Sequence, residues 1–221
     1  MEGVNPPSAA SWTYVNEWLI EPEAVIAARA KGDELHTSSI SPATGQALAA
    51  LAASVNASNI VEVGTGTGVS GAWLLAGMTA DGVLTTIDVE ADHQRNARET
   101  FVALGVDHVR TRLITGRALE VLPRLTEAGY DMVFVDGEIA EYPAILPIAK
   151  ALLRPGGVLA FDDVFAGDAL ADPAQRDGDA HALREVVASI RDDEDFVPAM
   201  LTVGDGLLVA VLRASAEPVQ Q

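Results

Sequence analysis

Acidic side chains stand at the ends of two apolar runs that have the composition of buried strands. Asp136 follows the run 132–135, and Asp162 and Asp163 follow the run 158–161. Parallel strands lie about 4.8 Å apart, and open α/β sheets bind ligands beyond the carboxyl ends of their strands. Carboxylates at such ends can converge on one hard cation, and a chain without cysteine favours Mg²⁺, Mn²⁺ or Ca²⁺. The pattern predicts a metal site, unless these acids only cap loops and helix N-termini.

A glycine-rich turn is the second group of residues that could do chemistry. The apolar run 60–63 enters the segment 64–68, Gly-Thr-Gly-Thr-Gly, with Glu62 two positions before the first glycine. This E-x-G-x-G-x-G arrangement resembles the opening of S-adenosylmethionine (SAM) dependent methyltransferases. With Gly71 the turn also fits the G-x-G-x-x-G dinucleotide fingerprint, and both kinds of site expect an acid such as Asp88 at the next strand end. The turn alone therefore leaves SAM and a nicotinamide as alternative cofactors.

Alternating strands and helices must position these side chains. Apolar runs predict strands and intervening helices, with strands at 59–63, 83–88, 109–114, 131–136 and 157–162 and helices near 69–79, 91–105, 117–128 and 140–153. Such alternation predicts a mostly parallel sheet with right-handed crossovers. After a helix near 180–192, two apolar runs around a Gly-Asp-Gly turn at 204–206 predict a β-hairpin. We expect a Rossmann-like α/β fold whose seven-stranded sheet ends in an antiparallel strand.

Charge and composition exclude several classes of function. The 221 residues carry a formal net charge of -18, with 32 acidic against 14 basic side chains. Such a surface repels phosphate backbones and anionic lipids, so neither nucleic acid nor a membrane is expected as a partner. A hydrophobic content of 49% indicates a folded chain. We see no basic and apolar leader and no apolar run of spanning length, so a cytoplasmic protein is expected.

Several segments together resemble one family. The stretches 62–64, 130–136, 153–157 and 204–207 are similar to those of the cation-dependent O-methyltransferases that include catechol and caffeoyl-CoA methyltransferases, most closely the small bacterial members. The resemblance covers about residues 41–212. It implies SAM and a divalent cation as cofactors, a small phenolic or catechol-like acceptor, and a homodimer.

The resemblance also implies roles for individual residues. Asp136 would be catalytic, would lie beside the cofactor, and would hold the cation together with Asp162 and Asp163. The other cofactor-binding positions implied are Glu62, Gly64, Gly66, Ser70, Asp88, Ala118 and Leu119.

Two departures from the family pattern bear on activity. The family usually has Asp-Asn where this chain has Asp162 and Asp163, and it has a lysine, a proposed general base, where this chain has Ile139. Glu138 and Tyr142 match the pattern. Two alternatives therefore stay open: a NAD-linked oxidoreductase, and a SAM-binding protein with lost or altered catalysis.

The chain divides into three regions on this interpretation. Residues 1–40 are expected to form N-terminal helices, broken at Pro22, that cover the site or a dimer interface. Ser41 and the proline after it suit the N-cap and first position of the next helix. Residues 41–213 would form the methyltransferase domain, and residues 214–221 a disordered tail.

Overall fold

A seven-stranded sheet carries the fold, in a computed structural model that describes residues 7–214. Its strands are β1 (Asn59–Val63), β2 (Val83–Asp88), β3 (Thr111–Thr115), β4 (Tyr130–Val135), β5 (Leu153–Phe161), β6 (Phe196–Leu201) and β7 (Leu207–Leu212). They lie in the order β3-β2-β1-β4-β5-β7-β6, and β7 runs antiparallel to both of its neighbours. The predicted architecture is confirmed. The expected tail, apart from Ala214, lies outside the described residues.

Eight α-helices of the described residues flank the sheet. They are α1 (Ala9–Glu17), α2 (Glu23–Leu35), α3 (Pro42–Ser54), α4 (Val69–Gly77), α5 (Ala91–Ala103), α6 (Ala118–Val121), α7 (Tyr142–Leu152) and α8 (Gly178–Asp192). The break at Pro22 and the Ser41 cap are confirmed, because α2 begins after that proline and the Ser41 hydroxyl accepts from Thr44 N at 3.0 Å. None of these helices is long and apolar enough to cross a bilayer.

One predicted helix, at 117–128, was wrong in length. Only α6 forms there, followed by a 3₁₀ turn at Leu122–Arg124. Pro123 has no N–H to donate to the preceding turn, which prevents a regular helix from continuing through it.

The core lies on both faces of the sheet because successive side chains of a strand point to opposite faces. In β4, Met132 and Phe134 pack into one apolar cluster, while Val133 and Val135 pack into the other. Strand β4 is buried along its whole length, as expected for a parallel strand with helices on both sides. Helix α2 joins one of these clusters through its buried residues, so the second N-terminal helix is part of the same packed body.

A charged network fastens the edge of the sheet at which the parallel strands begin. Asp131 Oδ2 accepts from the backbone N–H groups of Ser58 and Asn59, each at 2.8 Å, and Oδ1 accepts from Arg154 Nε at 2.6 Å. Burial opposes ionisation of Asp131, but these donors outweigh it and hold its pKa below the ordinary value. The carboxylate thus joins the starts of β1, β4 and β5.

Candidate active site

The glycine-rich turn brings the end of β1 against the end of β4. Gly64 has φ +90°, and a Cβ on it would lie 1.7 Å from the carbonyl oxygen of Asp136. No side chain fits so close to backbone, and only glycine adopts this φ without strain. The hydrogen bonding between β1 and β4 also continues past the end of β4, because Asp136 N donates to Val63 O at 2.8 Å. The turn and the first acid of the predicted metal set are therefore fixed to one another.

Asp88 ties the turn to the end of β2. Its Oδ2 accepts from Gly66 N at 3.0 Å and its Oδ1 accepts from Glu90 N at 2.9 Å. His93 Nδ1 lies 3.2 Å from both carboxylate oxygens. These contacts fix the orientation of the carboxylate at the position predicted to hold ribose hydroxyls. His93 was not among the predicted site residues, although its place five residues after Asp88, on the first turn of α5, is a signal that the sequence contains.

Glu62 belongs to a buried hydrogen-bond network that includes Thr65 of the glycine-rich turn. Its side chain is fully buried, Oε2 accepts from the Thr86 hydroxyl at 2.5 Å, and Oε1 has no hydrogen-bond partner among the described residues. The Thr86 hydroxyl also lies 2.6 Å from that of Thr65, which accepts from Gln94 Nε2 at 2.8 Å. Burial raises the pKa of Glu62 to about 7, although the hydroxyls of Ser70 and Thr86 oppose the shift. A buried polar network thus lies beneath the turn.

A large cavity opens above the turn, with a volume of about 720 Å³. Of the predicted cofactor-binding residues, it is lined by Gly64, Gly66, Ser70, Asp88, Ala118 and Asp136. Glu62 and Leu119 do not line it. Leu119 instead packs against the apolar cluster on one face of the sheet. The cavity is strongly acidic: no lysine or arginine is among its described lining residues, whereas its acids are Asp88, Glu90, Asp92, Asp136, Glu138, Glu141 and Asp163.

A smaller cavity of about 280 Å³, here called the acid cavity, adjoins the first. It is lined by Ser38, Ser39, Ile40, Ser41, Thr44, Asp136, Asp162, Asp163, Gly204 and Asp205. Ser38, Ser39, Ile40, Asp136 and Asp163 line both cavities. The two spaces therefore meet beside Asp136, so that a group bound in one can contact a group bound in the other.

The carboxylates of the acid cavity repel one another. Asp162 is only 3% exposed, and its Oδ1 has no hydrogen-bond partner within residues 7–214. Burial, and then the charge of Asp163, raise the pKa of Asp162 to about 7. Burial raises the pKa of Asp136 well above its ordinary value, and the charges of Asp162 and Asp163 raise it further. Such shifts indicate that a positive charge or a proton is needed at this position.

The structure therefore brings Asp136, Asp162 and Asp163 to one cavity, as predicted. It does not hold them as a finished ligand set, since no group of three acidic or histidine side chains in the described chain is placed to hold a metal ion. In charge and donor type they fit a hard cation, and the unpartnered Asp162 Oδ1 is an oxygen that could serve as a ligand. The metal site remains a prediction.

Neighbouring positions show what else surrounds the acids. Ile139 packs against the apolar cluster and lines neither cavity. His36 and His93 line the large cavity and not the acid cavity. Tyr142 is buried and donates to the backbone carbonyl of Asp162 at 3.3 Å. No histidine or lysine thus lines the acid cavity within the described residues.

The segment 166–177, which connects β5 to α8, lines neither cavity. Arg184 of α8 holds it instead. The guanidinium donates to the backbone carbonyls of Ala169, Leu170, Asp172 and Gln175 over 2.6–3.3 Å. Asp205 also accepts from Gly167 N at 2.8 Å. The segment is a fastened surface loop.

Comparisons with known proteins agree with this geometry. The model of the O-methyltransferase family matches residues 18–213. A protein named as an O-methyltransferase in Mycobacterium sp. (strain JLS) is 44% identical over 209 residues, which are 94% of this chain and 95% of the relative. One from Mycobacterium tuberculosis is 41% identical over 213 residues, covering 96% and 95%.

A solved structure is also similar. The O-methyltransferase TomG from Streptomyces achromogenes, involved in tomaymycin synthesis and solved in complex with SAM, has a TM-score of 0.84 and 30% identity, covering 91% of this chain and 95% of that one. The doubly wound sheet with its reversed strand and glycine-rich turn is the fold of Rossmann-like methyltransferases. The chain belongs to the O-methyltransferase family.

Proposed function

We propose that this protein transfers the methyl group of SAM to a hydroxyl of a small acceptor, phenolic or catechol-like. The observation that carries the proposal is the meeting of the two cavities beside Asp136. SAM in the large cavity and an acceptor in the acid cavity would present the methyl carbon and the hydroxyl oxygen to each other at that junction. The hydroxyl gives up its proton to solvent, its oxygen forms the new bond to the methyl carbon, the carbon–sulfur bond breaks with its electron pair going to sulfur, and S-adenosylhomocysteine leaves. Positioning of this kind supplies much of the rate.

The charge of the large cavity supports SAM over a nicotinamide. SAM carries a sulfonium and an ammonium group, whereas a nicotinamide dinucleotide carries two phosphate charges. The acidic lining attracts the first and repels the second. Asp88, which is oriented by Gly66 and His93, would accept hydrogen bonds from the ribose hydroxyls of SAM. The complex of TomG with SAM is consistent with this choice.

Thermal shift with SAM, S-adenosylhomocysteine and NAD tests the cofactor. A ligand that binds only the folded state raises the melting temperature by mass action. We expect both sulfur compounds to stabilise the protein and NAD to leave the melting temperature unchanged. Stabilisation by NAD alone would overturn the proposal.

We further propose that Asp136, Asp162 and Asp163 hold a divalent cation such as Mg²⁺. The support is the shared cavity, the mutual repulsion that raises their pKa values, and the unpartnered oxygen of Asp162. A phenol has a pKa near 10, and a bound dication would lower the pKa of a hydroxyl placed against it. Asp162 and Asp163 would supply carboxylate oxygens, and Asp136 would do so at the junction with the cofactor.

Chelation and charge-neutral variants test the cation. EDTA should abolish methyl transfer and Mg²⁺ or Mn²⁺ should restore it. Asp162→Asn should lose transfer while its affinity for S-adenosylhomocysteine stays as in the natural chain, because Asp162 does not line the large cavity. Glu127→Gln removes an exposed charge just before the start of β4, at the opposite edge of the sheet from Asp136, and is the matched control. Full activity in EDTA would instead assign proton removal to the raised-pKa carboxylate of Asp136.

We also propose a homodimer formed through α1. No residue of α1 is buried in the single chain, and Trp12, Tyr14 and Trp18 are 36%, 70% and 59% exposed. Exposed aromatic side chains on one short helix and directly after it suit an interface. Light scattering after gel filtration should give twice the mass of one chain, and Tyr14→Asp should return it to the mass of one chain.

A further inference from the structure

His93 lies at the wall of the large cavity, against the carboxylate of Asp88. It belongs to the first turn of α5, and its Nδ1 is 3.2 Å from both carboxylate oxygens. Only 19% of the His93 side chain and 8% of the Asp88 side chain are exposed. The contact is therefore largely shielded from solvent, where a hydrogen bond is stronger than on an open surface.

The position of Nδ1 defines which group donates in this contact. An ionised carboxylate only accepts hydrogen bonds, so a ring nitrogen that bonds to it carries a hydrogen. His93 is thus a third donor to Asp88, after Gly66 N, which is 3.0 Å from Oδ2, and Glu90 N, which is 2.9 Å from Oδ1. Because the imidazole is equidistant from both oxygens, the carboxylate cannot turn about its Cβ–Cγ bond without weakening one of these contacts.

Other negative charges lie close to this carboxylate along the chain. Glu90 and Asp92 follow Asp88 directly and line the same cavity. Like charges that share a cavity repel one another. Among the described lining residues, the side chains that can carry a positive charge are His36 and His93, and His93 is in contact with Asp88. The imidazole therefore opposes displacement of Asp88 by its neighbours.

The stability of α5 does not account for a histidine at this position. The N-terminal end of a helix favours negative side chains, and α5 has Asp92 there. Histidine also has a lower helix propensity than alanine, leucine or glutamate. The partner of His93 lies outside the helix, at the end of β2, where the proposed function places the ribose. The contact with Asp88, and not the helix, explains the residue type.

We propose that His93 is a positioning residue for the ribose of the cofactor, because its Nδ1 hydrogen holds the Asp88 carboxylate in the orientation that accepts from both ribose hydroxyls. Each oxygen accepts one backbone N–H and retains a lone pair for one hydroxyl. The inference rests on the proposed function, since it assigns the large cavity to SAM, and it adds a residue that acts on the cofactor through Asp88.

Two ligands that differ only in the ribose hydroxyls test the proposal without turnover. They are S-adenosylhomocysteine and its analogue that lacks both ribose hydroxyls, each titrated by calorimetry into the full chain at one fixed pH. His93→Leu removes the donor. It should weaken binding of S-adenosylhomocysteine about tenfold, the low end for a hydrogen bond to a charged group. The affinity for the analogue should change less than about twofold, because the analogue has no hydroxyl for Asp88 to bind.

A conservative variant separates the donor from the shape of the side chain. Asparagine and leucine are similar in shape, and the amide nitrogen of asparagine is as many bonds from Cα as Nδ1. His93→Asn should therefore bind S-adenosylhomocysteine within about threefold of the natural chain, since a neutral donor replaces the imidazole. If His93→Leu does not fold, His93→Gln replaces it with the same expectations, because its amide nitrogen is one bond further from Cα.

A second histidine–aspartate pair supplies the matched control. His108 Nδ1 lies 3.1 Å from Asp107 Oδ1, but the two side chains are 87% and 62% exposed, and neither residue lines a cavity. His108→Leu should therefore leave both affinities unchanged. An equal loss of affinity for both ligands in His93→Leu would overturn the proposal, because the histidine would then support the cavity in general. The same holds if His93→Asn binds as weakly as His93→Leu.

The remaining outcomes separate this inference from the proposed function. Tighter binding of S-adenosylhomocysteine by His93→Leu would overturn the positioning role and show that the imidazole occupies the place of the ribose hydroxyls. The proposed function survives each of these results, since the natural chain still binds S-adenosylhomocysteine. If the natural chain binds neither SAM nor S-adenosylhomocysteine, the proposed function is refuted and this inference with it.

Discussion

The buried carboxyl of Glu62 should make the stability of the ligand-free protein depend on pH in a defined direction. Its pKa in the folded state is about 7, against 4.5 for an ordinary glutamate. Because the folded state holds the proton more tightly than the unfolded chain, the contribution of Glu62 to the free energy of unfolding is greatest below pH 4.5. It falls as the pH rises toward about 7 and is level above that value.

The size of the effect follows from the same shift. A change from 4.5 to about 7 corresponds to roughly 3 kcal/mol, at about 1.36 kcal/mol for each pH unit. In a chain of this length, 1 kcal/mol moves the melting temperature by about 2–4 °C. Glu62→Gln keeps an oxygen that can accept from Thr86 and cannot ionise. It should therefore differ least from the natural protein near pH 5 and melt roughly 6–12 °C higher at pH 7.5.

Calorimetric melting from pH 5 to 8 in EDTA, without cofactor, measures this difference. Asp162 also has a raised pKa, but it is common to both proteins and cancels in the comparison. The charge of Glu62 contributes to the raised pKa of Asp136 only after burial and the charges of Asp162 and Asp163, so the substitution lowers the pKa of Asp136 only as a lesser effect. The control is Glu127→Gln, which changes an exposed side chain. Its melting temperature should change with pH in the same way as that of the natural protein. If the melting temperatures of Glu62→Gln and the natural protein differ by the same amount at every pH, the reasoning is refuted. The effect would then come from packing and not from ionisation.

Three further outcomes are expected. Asp88→Ala should weaken binding of S-adenosylhomocysteine by about 1.5–3 kcal/mol, the worth of hydrogen bonds to a charged group; unchanged affinity in a calorimetric titration would remove Asp88 from the site. Gly64→Ala should lower the melting temperature or prevent folding, because its Cβ would lie 1.7 Å from Asp136 O, and a variant that melts like the natural chain would contradict this geometry. Arg184→Met should speed amide exchange in residues 167–175 and cost about 2 kcal/mol or more of stability, whereas unchanged exchange would show that the loop holds its own shape.

The order of elements and the reversed strand could be predicted because local patterns dictate them. Each of the signals used acts on the backbone within a few residues of itself. These signals are the apolar runs, the prolines at positions 22 and 42, and the Gly-Asp-Gly turn. The helix predicted at 117–128 is shorter than its apolar spacing indicates because Pro123 interrupts it. The ends of β2, β4 and β5 followed from the same patterns, and this placed Asp88, Asp136 and Asp162 at one edge.

The details of the site could not be predicted in the same way, because they depend on contacts between distant segments. Asp205 reaches the acid cavity only because β7 lies beside β5. Glu62 was expected to face the cofactor, but it is buried in the polar network with Thr86 and Gln94, which come from β2 and α5. Ile139 was identified as a missing lysine, and only the packed structure shows that its side chain lies against the core.

The Asp131 network has a consequence for engineering this enzyme. At that edge of the sheet Asp131 and Arg154 are paired with each other, whereas at the opposite edge Asp162 has an oxygen without a partner among the described residues and several acids line one cavity. A substitution that introduces a lysine next to Asp162 would stabilise the ligand-free protein, but the new side chain would occupy the space in the cavity that a ligand needs. Thermostabilising substitutions should therefore be sought around Arg154 and the starts of the strands, because the residues there do not line the two cavities.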